Sequence, residues 1–276
     1  MSLDEAVVAH YGRGDLLERI EGALRATGKD PLAPTVDDLA GVDEFHARGR
    51  EATVELAELL PATLDSELLD IGSGLGGPAR FIAATRGHRV VGIDLTPEYV
   101  EVANELTRRC GLDTRARFLV GNALALPFDE ASYAAAYTQH VAMNIEGKAG
   151  LYREIARVVR PGGTLVIYDM LQGPGGPVRY PVPWSSDGTT SFLLDREALE
   201  RHLGEAGFEV VEHRDRREES VAWFEARLAT TAAAGGPPPM SVQILLGPVF
   251  KEAFANLVAN MREQRAAPTI VRAVRR

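Results

Sequence analysis

The sequence predicts an α/β protein: a mostly parallel sheet flanked by helices, with a helical cap at its N-terminus and a helical insertion ahead of a last, antiparallel strand. Three observations predict it. From residue 68 onward, short apolar runs alternate with helical segments, the pattern of parallel strands joined by right-handed crossovers. A glycine-rich turn ends the first run and opens a helix. The final run, residues 269–274, alternates well enough to close the sheet beside the fifth and sixth strands.

Residues 1–64 read as the cap. Apolar residues recur at helical spacing over 15–24, a break follows at Pro31 and Pro34, and residues 50–60 form a second helical stretch. Residues 65–276 read as the sheet-bearing domain. Its strands are expected at 68–71, 89–93, 116–120, 133–138, 164–168 and 208–213. Helices are expected through 80–84, from Pro97 to about Cys110, and over 148–159, where Leu151, Ile155 and Val158 share a face. Pro97 suits a first helical turn, and Arg160-Pro161-Gly162-Gly163 reads as a turn. Residues 171–192 are rich in Gly and Pro and read as a lid loop. Asp195 can cap a helix running to Ala206, ended by Gly207. The insertion spans 216–265: a helix near 221–231, a Gly-Gly-Pro-Pro-Pro hinge at 235–239, and a helix over 241–264.

Composition narrows the function. The 276 residues carry a net charge of −9, which argues against a nucleic-acid partner, since phosphate neutralisation needs a basic face. The terminal arginines Arg262, Arg265, Arg272, Arg275 and Arg276 read as a solvated helix face and tail. No apolar run approaches the roughly 20 residues of a membrane span, and the N-terminus has no signal-peptide pattern. Cys110 is the single cysteine, so thiolate metal clusters and intrachain disulfides are excluded, and a cytoplasmic location is expected. The histidines show no pairing at metal-ligand spacing, so no metal is expected.

The most informative stretch is Asp70-Ile71-Gly72-Ser73-Gly74-Leu75-Gly76-Gly77. Glycines here allow a tight turn and close approach of a ligand to backbone. The spacing alone also satisfies a dinucleotide-binding pattern. Asp94, 22 residues after Gly72, ends the second strand, where a carboxylate can accept from both hydroxyls of an adenosine ribose. Both kinds of nucleotide cofactor need that. Asp70 separates them: a carboxylate there suits a cationic ligand and repels a pyrophosphate. Asn122, after the third strand, can bond an adenine edge.

With these pieces, residues 68–170 resemble the class I S-adenosylmethionine-dependent methyltransferases. The resemblance is carried by Asp70 to Gly77, Gly92-Ile93-Asp94, Asn122-Ala123 with Leu126-Pro127-Phe128, and Val158 to Gly163. It implies a Rossmann-like seven-stranded sheet in the order 3-2-1-4-5-7-6 with strand 7 antiparallel. It implies S-adenosylmethionine as cofactor, held by Asp70, Gly72, Ser73, Gly74, Asp94, Leu95, Asn122, Ala123 and Gln139, with Tyr11 closing from an N-terminal helix. One position departs from the family: Asn122 stands where Asp is usual, which puts the strength of adenine binding in question. The Gln139-His140 pair followed by Lys148, and the loop continuing into Gly77-Pro78-Ala79-Arg80, resemble the branch of sarcosine/dimethylglycine and phosphoethanolamine N-methyltransferases.

The segment after the fourth strand, Gln139 to Ile145, lies where ligands sit in such sheets. His140 is the candidate base or substrate anchor, with a histidine that only bonds its loop as the alternative. His46 could reach down from the cap, and Asn144 could orient an acceptor. Trp184 and Tyr180 on the lid could form an aromatic wall for a methylated ammonium. The function expected is methyl transfer to a small molecule, first an amine nitrogen, then a hydroxyl or carbon. An NAD-dependent oxidoreductase and a non-catalytic S-adenosylmethionine binder stand as alternatives. Oligomeric state is left open, a homodimer being one option.

Overall fold

The computed structural model describes residues 3–11, 14–61, 67–246 and 250–276. Seven strands form one sheet in the order β3-β2-β1-β4-β5-β7-β6. They are β1 (Glu67–Ile71), β2 (Arg89–Asp94), β3 (Ala116–Val120), β4 (Tyr133–Gln139), β5 (Val159–Gln172), β6 (Phe208–Asp215) and β7 (Ala266–Arg275). β1 to β5 pair in parallel, whereas β7 runs antiparallel to both β5 and β6.

Alternation along each strand sends neighbouring residues to opposite faces. Leu68, Val90, Tyr137 and Val166 join one buried cluster, while Leu69, Val91, Ala136 and Leu165 join the other. Helices cover both: α5 (Gly77–Arg86) and α6 (Pro97–Arg109) follow β1 and β2, and α7 (Lys148–Val158) and α8 (Arg196–Glu205) flank β5. Asp195 caps α8 as its sequence indicates, its Oδ1 accepting from Ala198 N at 2.8 Å.

Several boundaries differ from the sequence reading. β5 begins at Val159, because Tyr133 pairs with Val159 and Ala135 with Thr164, so residues 160–163 bulge out of a continuous strand. It also runs on to Gln172, held by nine pairs with β7, which shortens the lid loop at its start.

The cap contains α1 (Leu3–Tyr11), α2 (Leu16–Ala26), α3 (Val36–Asp43) and α4 (Arg50–Leu59). α3 is set by a capping box in which Thr35 and Asp38 bond each other's backbone N–H. The insertion holds α9 (Arg217–Ala233), α10 (Gln243–Leu246) and α11 (Phe250–Arg262); of the helix expected over 241–264, residues 247–249 lie outside the described residues. Cap and sheet meet through a fully buried ion pair, Arg80 Nη2 to Asp43 Oδ1 at 2.7 Å. Arg80 also donates to Ala103 O and Thr107 Oγ1 of α6, so three helices share one guanidinium. Among the described residues, no helix is long and apolar enough to cross a membrane.

Candidate active site

A cavity of about 1540 Å³ opens over the C-terminal ends of β1, β2 and β4. Pockets for single drug-sized ligands measure roughly 300–1,000 Å³, so this one has room for a cofactor and an acceptor side by side. The glycine turn forms its floor. Gly72 N and Ser73 N both donate to Ile93 O, at 2.8 and 3.0 Å. Gly72 has φ +72°, and a Cβ there would lie 2.3 Å from Val141 Cγ2, so both backbone and space demand glycine. Asp94 braces the turn from β2: its Oδ2 accepts from Gly74 N at 2.8 Å and its Oδ1 from Thr96 N at 2.9 Å. The Thr96 hydroxyl and Leu95 N also reach this carboxylate, and Asp94 and Leu95 both line the cavity.

Buried polar atoms normally have partners. Here Asp70 Oδ2, Ser73 Oγ, both amide atoms of Gln139 and His140 Nε2 have none, and all four residues face the same cavity. Asp70 is 2% exposed. Burial pushes its carboxyl up to about 8; the nearby Tyr137 hydroxyl works against that shift and the Asp94 charge works with it. Asn122 and Ala123 lie further along the rim. The Asn122 amide donates to Asp4 of α1 at 2.8 Å and its carbonyl accepts from Leu124 N at 2.8 Å. Tyr11 ends α1, and its side chain lies outside the described residues.

His140 follows β4 with φ +54°, its N–H donating to Tyr168 O at 2.7 Å. Its ring lies 4.9 Å from that of Tyr168 and 6.0 Å from that of His46. Burial, and then the charge of His46, hold its imidazole well below the usual histidine range, so it is neutral. His46 reaches the cavity from the cap, but both its ring nitrogens face acceptors: Nε2 lies 3.0 Å from Glu44 Oε2 and Nδ1 3.3 Å from Ala47 O. Burial works against ionisation of Glu44, yet bonds and charges from His46, Arg50 and Thr53 outweigh it and keep the carboxyl below its usual value. His140, with an unpartnered nitrogen, is therefore the better placed of the two to take a proton.

Asn144 lines the cavity after β4. Its side-chain nitrogen donates to Trp184 O at 2.8 Å and Thr190 O at 2.7 Å, so it pins the lid loop to the segment after β4. Lys148 supports that segment from below, its ammonium donating to Ala142 O and Ile145 O. Asp169 on β5 accepts from Met143 N at 3.0 Å. Trp184 lines the cavity, 2% exposed, with Nε1 donating to Ser191 Oγ, whereas Tyr180 is not among the lining residues. The aromatic wall comes from the insertion: Trp223 and Phe224 on α9 and Phe254 on α11. Sequence spacing gave no signal for these, because only the folded insertion brings them to the cavity. Glu44 was not singled out in the sequence, where its place two residues before His46 is the one local sign of it. Among the described residues, no group of acidic, histidine or cysteine side chains could hold a metal ion.

Residues 69–167 match the family model described as a methyltransferase domain. They form a class I methyltransferase domain. The class uses S-adenosylmethionine, and the site fits it: Asp94 offers carboxylate oxygens toward the cavity for ribose hydroxyls, and the unpartnered Asp70 Oδ2, Ser73 Oγ and Gln139 amide suit a charged amino-acid end. The chain is 40% identical over 124 residues to a 24-methylenesterol C-methyltransferase 2 of Oryza sativa subsp. japonica, covering 44% of this chain and 34% of that one. It is 32% identical over 185 residues to an erythromycin 3''-O-methyltransferase of Saccharopolyspora erythraea, covering 63% and 59%. The chain thus spans between about a third and three-fifths of these relatives' lengths. A geranyl diphosphate C-methyltransferase from Streptomyces coelicolor A3(2) shares the fold of this chain, with a TM-score of 0.73 at 19% identity, covering 100% of this chain and 99% of that one.

Proposed function

We propose that the whole chain transfers the methyl group of S-adenosylmethionine to a small, largely apolar acceptor. The observation that carries this is the run of unpartnered buried polar atoms, from Asp70 Oδ2 through Ser73 Oγ and Gln139 to His140 Nε2, facing one cavity with an apolar chamber beyond it. The names of the relatives, a methylenesterol, an erythromycin and a geranyl diphosphate methyltransferase, support a small-molecule acceptor.

S-adenosylmethionine supplies an electrophilic methyl on a sulfonium. The chain's part is chiefly alignment, which in ideal cases lowers a barrier by about 7–11 kcal/mol. Asp94 would hold the ribose, Asp70 and Gln139 the amino-acid end. Trp184, Trp223, Phe224 and Phe254 would exclude water and seat the acceptor. His140 would receive the proton that the nucleophile loses. An amine nitrogen is the finer reading, supported by the Gln139-His140 pair followed by Lys148. A hydroxyl oxygen is the second, favoured by the neutral, unpartnered Nε2 of His140, since a hydroxyl must shed its proton as it attacks.

The test is S-adenosylhomocysteine release across a panel of amines, phenols and alcohols on terpenoid and polyketide frames. At least one should turn over, with the methyl on nitrogen or oxygen. No turnover with any, in a chain that binds the cofactor, would leave a non-catalytic binder as the better reading.

A further inference from the structure

The adenine end of the site contains an arrangement that the glycine loop does not explain. The exocyclic amino group of adenine is a donor and needs an acceptor. Asn122 has one acceptor atom, its neutral carbonyl oxygen, and Leu124 N already takes one of its two lone pairs at 2.8 Å. What Asn122 turns toward α1 is its NH2 group, which donates to Asp4 Oδ2 at 2.8 Å. The charged, and so stronger, acceptor at this rim is the Asp4 carboxylate, which lines the same cavity together with Leu3 and Val7 of its own helix. The pairing also accounts for the amide at position 122. A carboxylate there would stand at hydrogen-bond distance from a second carboxylate, and like charges so placed repel.

Resting on the methyltransferase reading above, we infer that Asp4 accepts the hydrogen bond from the exocyclic amino group of the cofactor's adenine, with Asn122 holding that carboxylate in position. Each carboxylate oxygen can accept more than one hydrogen bond, so the Asn122 contact and an adenine contact are compatible. The N-terminal helix is thereby part of the cofactor site, and base recognition depends on a residue far from the methyltransferase domain in sequence.

Titration calorimetry with the full chain tests this. The probes are S-adenosylhomocysteine and its deaminated analogue S-inosylhomocysteine, which has a carbonyl in place of the amino group. The wild-type chain should prefer the adenosyl compound by about tenfold or more, the size of a hydrogen bond to a charged group. Asp4→Asn should weaken the adenosyl compound by about tenfold and shrink the preference to within about twofold. Asn122→Asp alone should also weaken it, and the exchanged pair Asp4→Asn with Asn122→Asp should recover most of the loss. Asp4 is exposed, so the melting temperature without ligand should not move, which separates this from misfolding. Unchanged affinity and unchanged preference in Asp4→Asn would overturn the assignment of Asp4. If the wild-type chain bound neither compound, the methyltransferase reading itself would fall, and Asp4 with it.

Discussion

Replacing Asp94 by Asn tests how the glycine turn and the cofactor share one carboxylate. In the structure, Asp94 accepts from Gly74 N at 2.8 Å on one oxygen and from Thr96 N at 2.9 Å on the other, with the Thr96 hydroxyl and Leu95 N also reaching the carboxylate. An amide can keep one of these and must point an N–H at the other donor. The lost bond involved a charged acceptor, a contact of about 1.5–3 kcal/mol. The same swap leaves one acceptor where a ribose diol needs two. Since about 1.4 kcal/mol is a factor of ten in binding, the affinity for S-adenosylhomocysteine should fall about 10- to 100-fold. The free protein should lose less, because the turn is also held by Gly72 N and Ser73 N on Ile93 O. At roughly 2–4 °C per kcal/mol for a chain of this size class, its melting temperature should drop by only a few degrees. Calorimetry of both forms against S-adenosylhomocysteine, with thermal melts alongside, reads the two effects separately. A dissociation constant within twofold of wild type would refute the role given to Asp94.

Other consequences follow from the buried charges and the segment after β4. Asp70, with its carboxyl near 8 in the free protein, is protonated at neutral pH. A cationic ligand end requires the ionised form, so binding should release a proton. Affinity for S-adenosylhomocysteine should climb as pH rises toward about 8 and level off above it, and Asp70→Asn should flatten the profile; calorimetry in buffers of different ionisation enthalpy counts the proton. His140→Asn, which keeps a side chain tolerant of φ +54°, should cut turnover by about 10²–10⁴-fold with cofactor affinity unchanged, and a turnover loss under threefold would contradict its role as base. Arg80→Met leaves Asp43 buried without its cation, so urea unfolding should show a loss of about 3–5 kcal/mol. Asp43→Leu combined with Arg80→Met should be less harmful than Arg80→Met alone.

The sheet was readable because its information is local. Gly72, with φ +72°, and Asp94 at the end of β2 are fixed by a turn and a strand end, and both leave their mark in adjacent residues. The strand order followed from the same stretch through its resemblance to a known family. The acceptor side was less legible because it is assembled from segments far apart. Trp223, Phe224 and Phe254 reach the cavity only once α9 and α11 fold across it. Trp184 and Tyr180 were both expected there; Trp184 lines the cavity, and Tyr180 packs against the buried cluster without reaching the lining. Asn144 was read as able to orient an acceptor, and nothing nearby in the chain shows that its nitrogen also holds Trp184 and Thr190, 40 and 46 residues away. Likewise nothing near Asn122 in the chain points to Asp4, 118 residues earlier.

The central claim is that the cavity over β1, β2 and β4 is an S-adenosylmethionine site. A crystal structure grown with S-adenosylhomocysteine tests it most directly. The account expects the ribose on the Asp94 carboxylate, the amino-acid end beside Asp70 and Gln139, and the sulfur turned toward His140. A ligand bound elsewhere, or no ligand in the cavity at saturating concentration, would contradict it.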